Sequence, residues 1–206
     1  MKINEKFGKL ATGEQVQKTA AALLGNGFKA EVVGGADEAK KRILEIIPRQ
    51  AEVMTMTSVT LDTLGLDKEL NDESKYHALR PKLLKMDRNT QGREMRKLAA
   101  GPDYVVGSIH ALTENGHLLI ASQSGSQLSS EAYAGGKIIF IVGSQKIVKD
   151  MDEGFKRIYE YCLPLEDERA RKAYGVRSAV NKILIINKEI APERITVIIV
   201  KEKLGF

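Results

Sequence analysis

The chain has 206 residues, 43% of them hydrophobic and 29% charged, which is ordinary for a globular protein. This length is within reach of one hydrophobic core, so we expect a single domain over residues 1–206. The charged N-terminal residues and the lack of a long apolar run predict a cytoplasmic protein that does not enter a membrane. The single cysteine, Cys162, excludes an internal disulfide and a cysteine-ligated iron-sulfur cluster within the chain.

The net charge of +5 raises the question of a nucleic-acid partner. The basic residues are interleaved with acids, and the aromatics, 5% of the chain, lie in no basic stripe that could stack on bases. We therefore expect no nucleic-acid partner. A modest positive field can still attract a small anionic metabolite.

The first half of the chain alternates helical and strand patterns. Thr12 and Gln15 form a capping-box signal, and Gly25 and Gly27 end the helix that follows. Asp37 can cap the second helix, whose buried stripe ends before Pro48. The predicted elements here are helices from Thr12, Asp37 and Ser58, and strands over residues 29–33 and 51–56.

Residues 67–100 are charged and helical in pattern, and they predict a helical insertion over the sheet. Strands are then predicted over residues 103–106, 118–122, 138–142, 183–186 and 195–200. A helix over residues 148–163 is expected to bury Phe155, Ile158, Tyr159 and Cys162 on one face. The aliphatic runs KIIFIV, KILII and ITVIIV favour central strands of one sheet, so the predicted fold is α/β, with a mostly parallel open sheet and helices on both faces.

Such a sheet binds ligands beyond the carboxyl ends of its strands. Four turns fit that position, at residues 32–37, 55–60, 105–110 and 142–146. The hydroxyls of the second turn could bind a phosphate or carboxylate, although a Ser or Thr at a helix start, such as Ser58, is more often only a cap. Lys146 could meet a bound anion or be an ordinary surface lysine. His110 has no partner at metal-ligand spacing, so no metal site is predicted.

A polar segment over residues 114–131 is the denser signal. Asn115 and Gly116 are typical of a hairpin turn, which leaves unexplained the polar run Gln123–Glu131, expected between two strands of the core sheet. Glu114 could act as an acid, base or nucleophile, or be an exposed turn residue. The chain has no GxGxxG, Walker or Gly-x-Ser-x-Gly motif.

Much of the second half, including TENGHLLIASQSGSQLSSEAYAGGKIIFIVGSQKIV and the closing EKLGF, resembles the LUD-domain family, the lactate-utilisation protein C-like group. The resemblance spans nearly the whole chain. It implies a fold like that of ribose-5-phosphate isomerase, glucosamine-6-phosphate deaminase and CoA transferases (NagB/RpiA/CoA-transferase-like). It also implies a link to the oxidation of L-lactate to pyruvate beside iron-sulfur and flavin-type partner proteins. Many relatives have Gly-Asn-Arg where this chain has Gly125-Ser126-Gln127.

Two hypotheses follow from the residues and the resemblance. In the first, the chain is an accessory, ligand-binding component of lactate or 2-hydroxy-acid oxidation, without a cofactor of its own. In the second, it is an enzyme of the isomerase or acyl-CoA-transferase type that uses Glu114. Homo-oligomerisation is left open. The candidate ligand-binding residues are Thr57, Ser58, Thr60, Gly107, Ser108, Asn115, Gly125, Ser126, Gln127, Gly143, Gln145 and Lys146.

Overall fold

The computed structural model describes residues 2–206 and contains ten strands in two sheets. In chain order the strands are β1 Lys29–Val33, β2 Glu52–Thr55, β3 His77–Ala78, β4 Tyr104–Gly107, β5 Ala111–Thr113, β6 Leu118–Ser122, β7 Lys137–Gly143, β8 Ile147–Val148, β9 Lys182–Ile186 and β10 Ile195–Val200. The larger sheet has the order β1-β10-β7-β4-β2-β3, and every neighbouring pair in it is parallel. The predicted α/β class with a mostly parallel sheet is confirmed.

A second sheet has the order β8-β5-β6-β9. In it β6 pairs antiparallel with both β5 and β9, and β5 pairs parallel with β8. The runs LLIAS and KILII were expected in the core sheet, and this placement is wrong. An aliphatic run shows that a strand is buried but does not determine which sheet buries it.

Eight α-helices connect the strands. They are α1 Gly13–Gly25, α2 Ala36–Ile46, α3 Val59–Leu64, α4 Leu66–Leu70, α5 Leu79–Leu84, α6 Arg88–Ala100, α7 Met151–Arg157 and α8 Leu163–Tyr174. The capping box of α1 is present as predicted, with hydrogen bonds in both directions between Thr12 and Gln15. The second helix begins earlier than expected, with Gly35 at its cap and Asp37 inside its first turn.

Both faces of the larger sheet are covered. Side chains of β7 alternate, so that Ile138 and Phe140 pack with α1 and the second sheet, whereas Ile139 and Ile141 pack with α2, α3 and α4. This alternation follows from the two-residue period of a strand. The parallel sheet is therefore the middle layer, and the candidate residues at its carboxyl edge lie beside both cores.

The region predicted as a helical insertion contains α4, α5 and α6. It also contains the two-residue strand β3, which extends the sheet beyond β2. The helix α6 buries none of its residues, which agrees with its highly charged sequence. Within residues 2–206 no helix is both long and apolar enough to cross a membrane.

The helix predicted over residues 148–163 begins later and runs further. A π-helical segment, Ile158–Cys162, joins α7 to α8, and Leu163 N–H donates to Ile158 O. The wider turn shifts the phase of the helix, so Tyr161 is buried at 2% exposure and Tyr159 is 48% exposed. The prediction that Tyr159 faces the core is therefore wrong.

Candidate functional site

A lysine buried at the carboxyl edge of the parallel sheet forms the centre of the candidate site. Lys146 Nζ donates to Thr60 Oγ1 at 3.0 Å and to Ser108 Oγ at 2.9 Å. The Ser108 hydroxyl in turn donates to Ile141 O at 2.5 Å. Lys146 is 2% exposed and Thr60 1%, whereas Ser108 is partly exposed. We call Thr60, Ser108 and Lys146 the lysine cluster.

The topology of the two sheets brings the lysine cluster together. Adjacent strands β4 and β7 of the parallel sheet continue into adjacent strands β5 and β8 of the second sheet. Ser108 lies in the first of these crossings and Lys146 in the second, in a 3-10 turn over Ser144–Lys146. Thr60 enters from α3, which follows the neighbouring strand β2. The lysine cluster therefore lies where the chain twice passes between the sheets.

A second buried cation lies close to the lysine cluster. Arg157, on α7, is fully buried, and it donates to Gln145 O at 3.3 Å and, through Nη1, to His110 O and Cys162 Sγ. Its Nη2 atom has no hydrogen-bond partner. Within the described part of the chain, neither Lys146 nor Arg157 has a carboxylate within 4.0 Å. Two buried cations without an anion are costly, because neither retains full hydration.

The electrostatics of the site follow from this arrangement. Burial, with the nearby positive charge of Arg157, lowers the pKa of Lys146 to about 7. Burial, followed by the charges of Lys146 and Arg157, lowers the pKa of His110 to about 3. His110 Nδ1 accepts from Ala121 N–H at 3.1 Å, so the neutral ring carries its proton on Nε2. The site thus offers hydrogen-bond donors and positive charge.

Glu131 is a buried acid that the sequence did not single out. It lies in a π-helical segment, Ser130–Ala134, after the polar run, and is 1% exposed. Its Oε2 atom has no hydrogen-bond partner, and burial raises its pKa to about 8. A Cβ atom on Gly107 would lie 3.8 Å from Glu131 Oε1, which places this carboxyl against the end of β4. Glu131 is therefore predominantly neutral at pH 7.

Besides Thr60, the turn after β2 brings a second threonine, Thr57, and an arginine, Arg80, to this edge of the sheet. Thr57 Oγ1 accepts from Arg80 Nη2 at 2.8 Å, and Arg80 Nη1 donates to Thr55 O at 3.3 Å. Ser58 is the residue before α3, but its side chain makes no capping hydrogen bond. Arg80, like Arg157, has no carboxylate within 4.0 Å in residues 2–206, and it adds a third cation at this edge of the sheet.

Two predicted residues at the end of β7 contact the C-terminal segment. Gln145 Nε2 donates to Leu204 O at 2.8 Å and to Gly205 O at 3.3 Å. A Cβ atom on Gly143 would lie 2.7 Å from Leu204 N, so only glycine fits there. The side chain of Gln145 thus fastens residues 204–205 beside the lysine cluster. Its predicted contact with a ligand stays a prediction.

Glu114 and Asn115 lie in the β5–β6 hairpin, against α1. The Glu114 carboxylate accepts from Lys18 Nζ at 2.7 Å and from Gln15 Nε2 at 3.0 Å. These hydrogen bonds lower the pKa of Glu114, with Lys18 the larger cause. The backbone O of Asn115 accepts from the Asn26 side chain at 2.8 Å. None of these hydrogen bonds involves the lysine cluster.

Gly125, Ser126 and Gln127 form the loop after β6. Gln127 Oε1 accepts from Ser122 Oγ at 3.1 Å, and Ser126 Oγ accepts from Ser124 Oγ at 3.0 Å. Gly125 has φ +80, a left-handed conformation that favours glycine. The side-chain contacts of this loop are local, and they leave the predicted ligand role of the three residues untested. The loop leads directly into the segment that carries Glu131.

Two amides at the Gly34–Gly35 turn, those of Gly34 and Ala36, are already occupied. Gly34 N–H donates to Glu38 Oε2 at 2.7 Å, and Ala36 N–H donates to Glu202 Oε2 at 3.3 Å.

Two surface cavities, of about 390 and 450 Å³, lie near Phe28 and Tyr76, and the lysine cluster lines neither. Among the described residues no set of three or more His, Cys, Asp or Glu side chains could hold a metal ion.

Comparison with known proteins gives the family. The family model of the LUD domain matches residues 16–200. The chain belongs to the LUD-domain family. A crystal structure of a DUF162 family protein from Deinococcus radiodurans is similar to this LUD-domain chain over 93% of its length and 99% of the other chain, with 14% identity and a TM-score of 0.58. That likeness shows a shared fold.

Two other comparisons add no information about function. eIF2B beta from Chaetomium thermophilum aligns with 67% of this chain and 41% of its own, at 12% identity and a TM-score of 0.31. No curated protein matches the sequence. The family therefore rests on the LUD-domain match, and the function rests on the site.

Sequence reasoning missed three charged residues: the buried Arg157 and Glu131, and the partly exposed Arg80. A signal existed for Arg157, because it precedes Ile158 on the apolar side of an amphipathic helix, where a charge is unusual. Glu131 is the single acid of the polar run, but its burial depends on packing against β4. Nothing local distinguishes Arg80 from the other basic residues of the helical insertion.

Proposed function

We propose that this LUD-domain chain binds a small organic anion at the lysine cluster, as an accessory component in the oxidation of L-lactate or a related 2-hydroxy acid to pyruvate. One observation carries the binding proposal. Lys146 and Arg157 are both buried with no carboxylate within 4.0 Å in residues 2–206, the charge of Arg157 acts on Lys146, and Arg157 Nη2 has no partner. An anion would supply the missing countercharge.

The chemistry of the surrounding groups suits a carboxylate with a neighbouring hydroxyl or carbonyl oxygen. The ammonium of Lys146 and the Nε2–H of His110 can donate to ligand oxygens, whereas the hydroxyl protons of Ser108 and Thr60 are held by Ile141 O and Leu204 O. Arg80 supplies a further guanidinium at the same edge, in a chain that lacks the Gly-Asn-Arg arginine of many relatives. Family membership and the resemblance to the lactate-utilisation group support lactate as the ligand, and the redox chemistry would be supplied by iron-sulfur or flavin-containing partner proteins.

The experiment is a thermal-shift and calorimetric titration at about pH 6, where Lys146 is mostly protonated. L-Lactate, pyruvate and inorganic phosphate are compared with chloride at equal ionic strength. Saturable stabilisation by lactate or pyruvate is expected for the wild type and for Lys149→Met, the replacement of an exposed neighbouring lysine. Lys146→Met should lose it. Equal responses of the two variants, or no response of the wild type to any anion, would contradict the proposal.

A further inference from the structure

The lysine cluster also contains a potential proton acceptor, the neutral amine of Lys146, which anion binding does not use. A buried lysine holds a serine hydroxyl at 2.9 Å and a threonine hydroxyl at 3.0 Å. A neutral lysine amine in this position becomes a general base when the Ser108 hydroxyl turns its proton from Ile141 O to the amine lone pair. Serine–lysine pairs are an established variant of the nucleophile–base arrangement in acyl transfer.

The three residues differ in exposure in the way that a nucleophile and its base require: the serine is partly exposed, and the lysine and threonine are buried. Ser108 is partly exposed and follows the last residue of β4, at the carboxyl edge of the parallel sheet. Lys146 lies beneath it at 2% exposure and has no carboxylate within 4.0 Å among the residues described. Thr60 holds the amine from the other side, and its hydroxyl donates to Leu204 O at 3.2 Å. The amine is thereby oriented without being held in its charged form.

His110 supplies the remaining group. Because Nδ1 accepts from the amide of Ala121, the ring is a neutral donor through Nε2. The nearby charges of Lys146 and Arg157 act against protonation of the ring. A neutral imidazole N–H is a donor that can stabilise an oxyanion formed when a carbonyl is attacked.

We propose that Ser108 is a nucleophile activated by Lys146, and that this site cleaves activated esters or thioesters of small carboxylic acids. Ser108 Oγ forms a bond to the acyl carbon while Lys146 Nζ takes the hydroxyl proton, and the carbonyl oxygen becomes an oxyanion bonded to His110 Nε2–H. The bond to the leaving alcohol or thiol then breaks, and Lys146 returns the proton to it. Water, deprotonated by Lys146, attacks the acyl-serine, and the carboxylic acid leaves as Ser108 regains its proton.

This activity uses the same groups as anion binding but the other protonation state of Lys146. It therefore increases as the pH rises through the pKa of Lys146, about 7, whereas affinity for an anion decreases over the same range. The opposite pH dependences separate the two functions experimentally.

The test is labelling by a fluorophosphonate probe at about pH 8.5, read by intact mass and peptide mapping. The wild type and Ser178→Ala should gain one label, at Ser108, and Ser108→Ala none. Lys146→Met should react about 100-fold more slowly. Absence of labelling in the folded wild type, or labelling that persists in Ser108→Ala, overturns the proposal. A lactate thermal shift on the same sample shows separately whether anion binding stands.

A second variant covers the case in which Lys146→Met does not fold. In Ser108→Cys, a thiol beside Lys146 should react with iodoacetamide with a pH midpoint clearly below the ordinary value of about 8.5. The wild type, whose Cys162 is buried, gives the background rate. A midpoint at the ordinary value shows that Lys146 does not act on position 108 and overturns the proposal.

Discussion

The Lys146 ammonium lies 2.9 Å from the Ser108 hydroxyl, although the two residues are 38 positions apart in the chain. Each lies in a crossing from the parallel sheet to the second sheet, and the pairing of β4 with β7 and of β5 with β8 holds the crossings together. Four strands thus fix the geometry of this pair. Substitutions of Lys146 or Ser108 should change function. Substitutions of the residues that pack around the pair should change stability.

Anion affinity should depend on pH through Lys146. Its amine is mostly protonated below its pKa of about 7 and neutral above it, whereas a lactate carboxylate stays ionised throughout. The dissociation constant for L-lactate should therefore increase about tenfold for each pH unit above that value. Isothermal titration calorimetry at several pH values measures it. A dissociation constant that does not change between neutral and alkaline pH would exclude Lys146 as the cation that binds the ligand.

Glu131 should make the protein less stable as the pH rises. Its pKa of about 8 in the folded state lies above the ordinary 4.5, so the folded state binds the extra proton. The stabilisation is complete below the unfolded-state value and is lost as the pH rises through about 8, up to about 5 kcal/mol in all. Urea unfolding of Glu131→Gln should lack this decrease.

The control is Glu94→Gln, in which an exposed glutamate is also replaced by glutamine. Comparison with the wild type at each pH removes the contribution of Lys146, which titrates in the opposite sense. If Glu131→Gln and Glu94→Gln change the free energy of unfolding in parallel at every pH, the carboxyl of Glu131 does not titrate as stated.

Gly205 should support the lysine cluster through Thr60. It has φ +59, and a Cβ atom there would lie 2.6 Å from Thr60 Oγ1 and 2.8 Å from Thr60 N. Gly175 has φ +69 with no atom within 4 Å of its Cβ position, so Gly175→Ala measures the backbone cost alone, about 1 kcal/mol. Gly205→Ala should cost more and should also weaken lactate binding. Equal losses of stability in the two variants would show that the contact with Thr60 is easily relieved.

Glu114→Gln tests the remaining acid–base hypothesis. The carboxylate of Glu114 pairs with Lys18, whose side chain is 60% exposed, so loss of the ion pair should cost less than about 1 kcal/mol. The hydrogen-bond partners of Glu114, Gln15 and Lys18, belong to α1 and not to the lysine cluster. We therefore expect lactate binding and Ser108 labelling to be unchanged in Glu114→Gln. A loss of either activity in a folded Glu114→Gln protein would restore this residue as a catalytic candidate.

Local sequence patterns were sufficient for most of the elements. The capping box at Thr12 and Gln15, and the aliphatic run of β7, depend on neighbours within a few residues, so periodicity and turn residues predict them. The same patterns put Thr60, Ser108 and Lys146 at strand ends. In a parallel sheet such ends share one edge, which is why these three candidates could be named before their contacts were known.

Other features depend on contacts between distant parts of the chain. The division into two sheets depends on how strands pair, and an aliphatic run such as KILII fits either sheet. The burial of Arg157 and Glu131 arises from packing against other elements, which no local pattern encodes. The low pKa of Lys146 has the same origin, because it results from lost hydration and from the charge of Arg157, which the fold brings close.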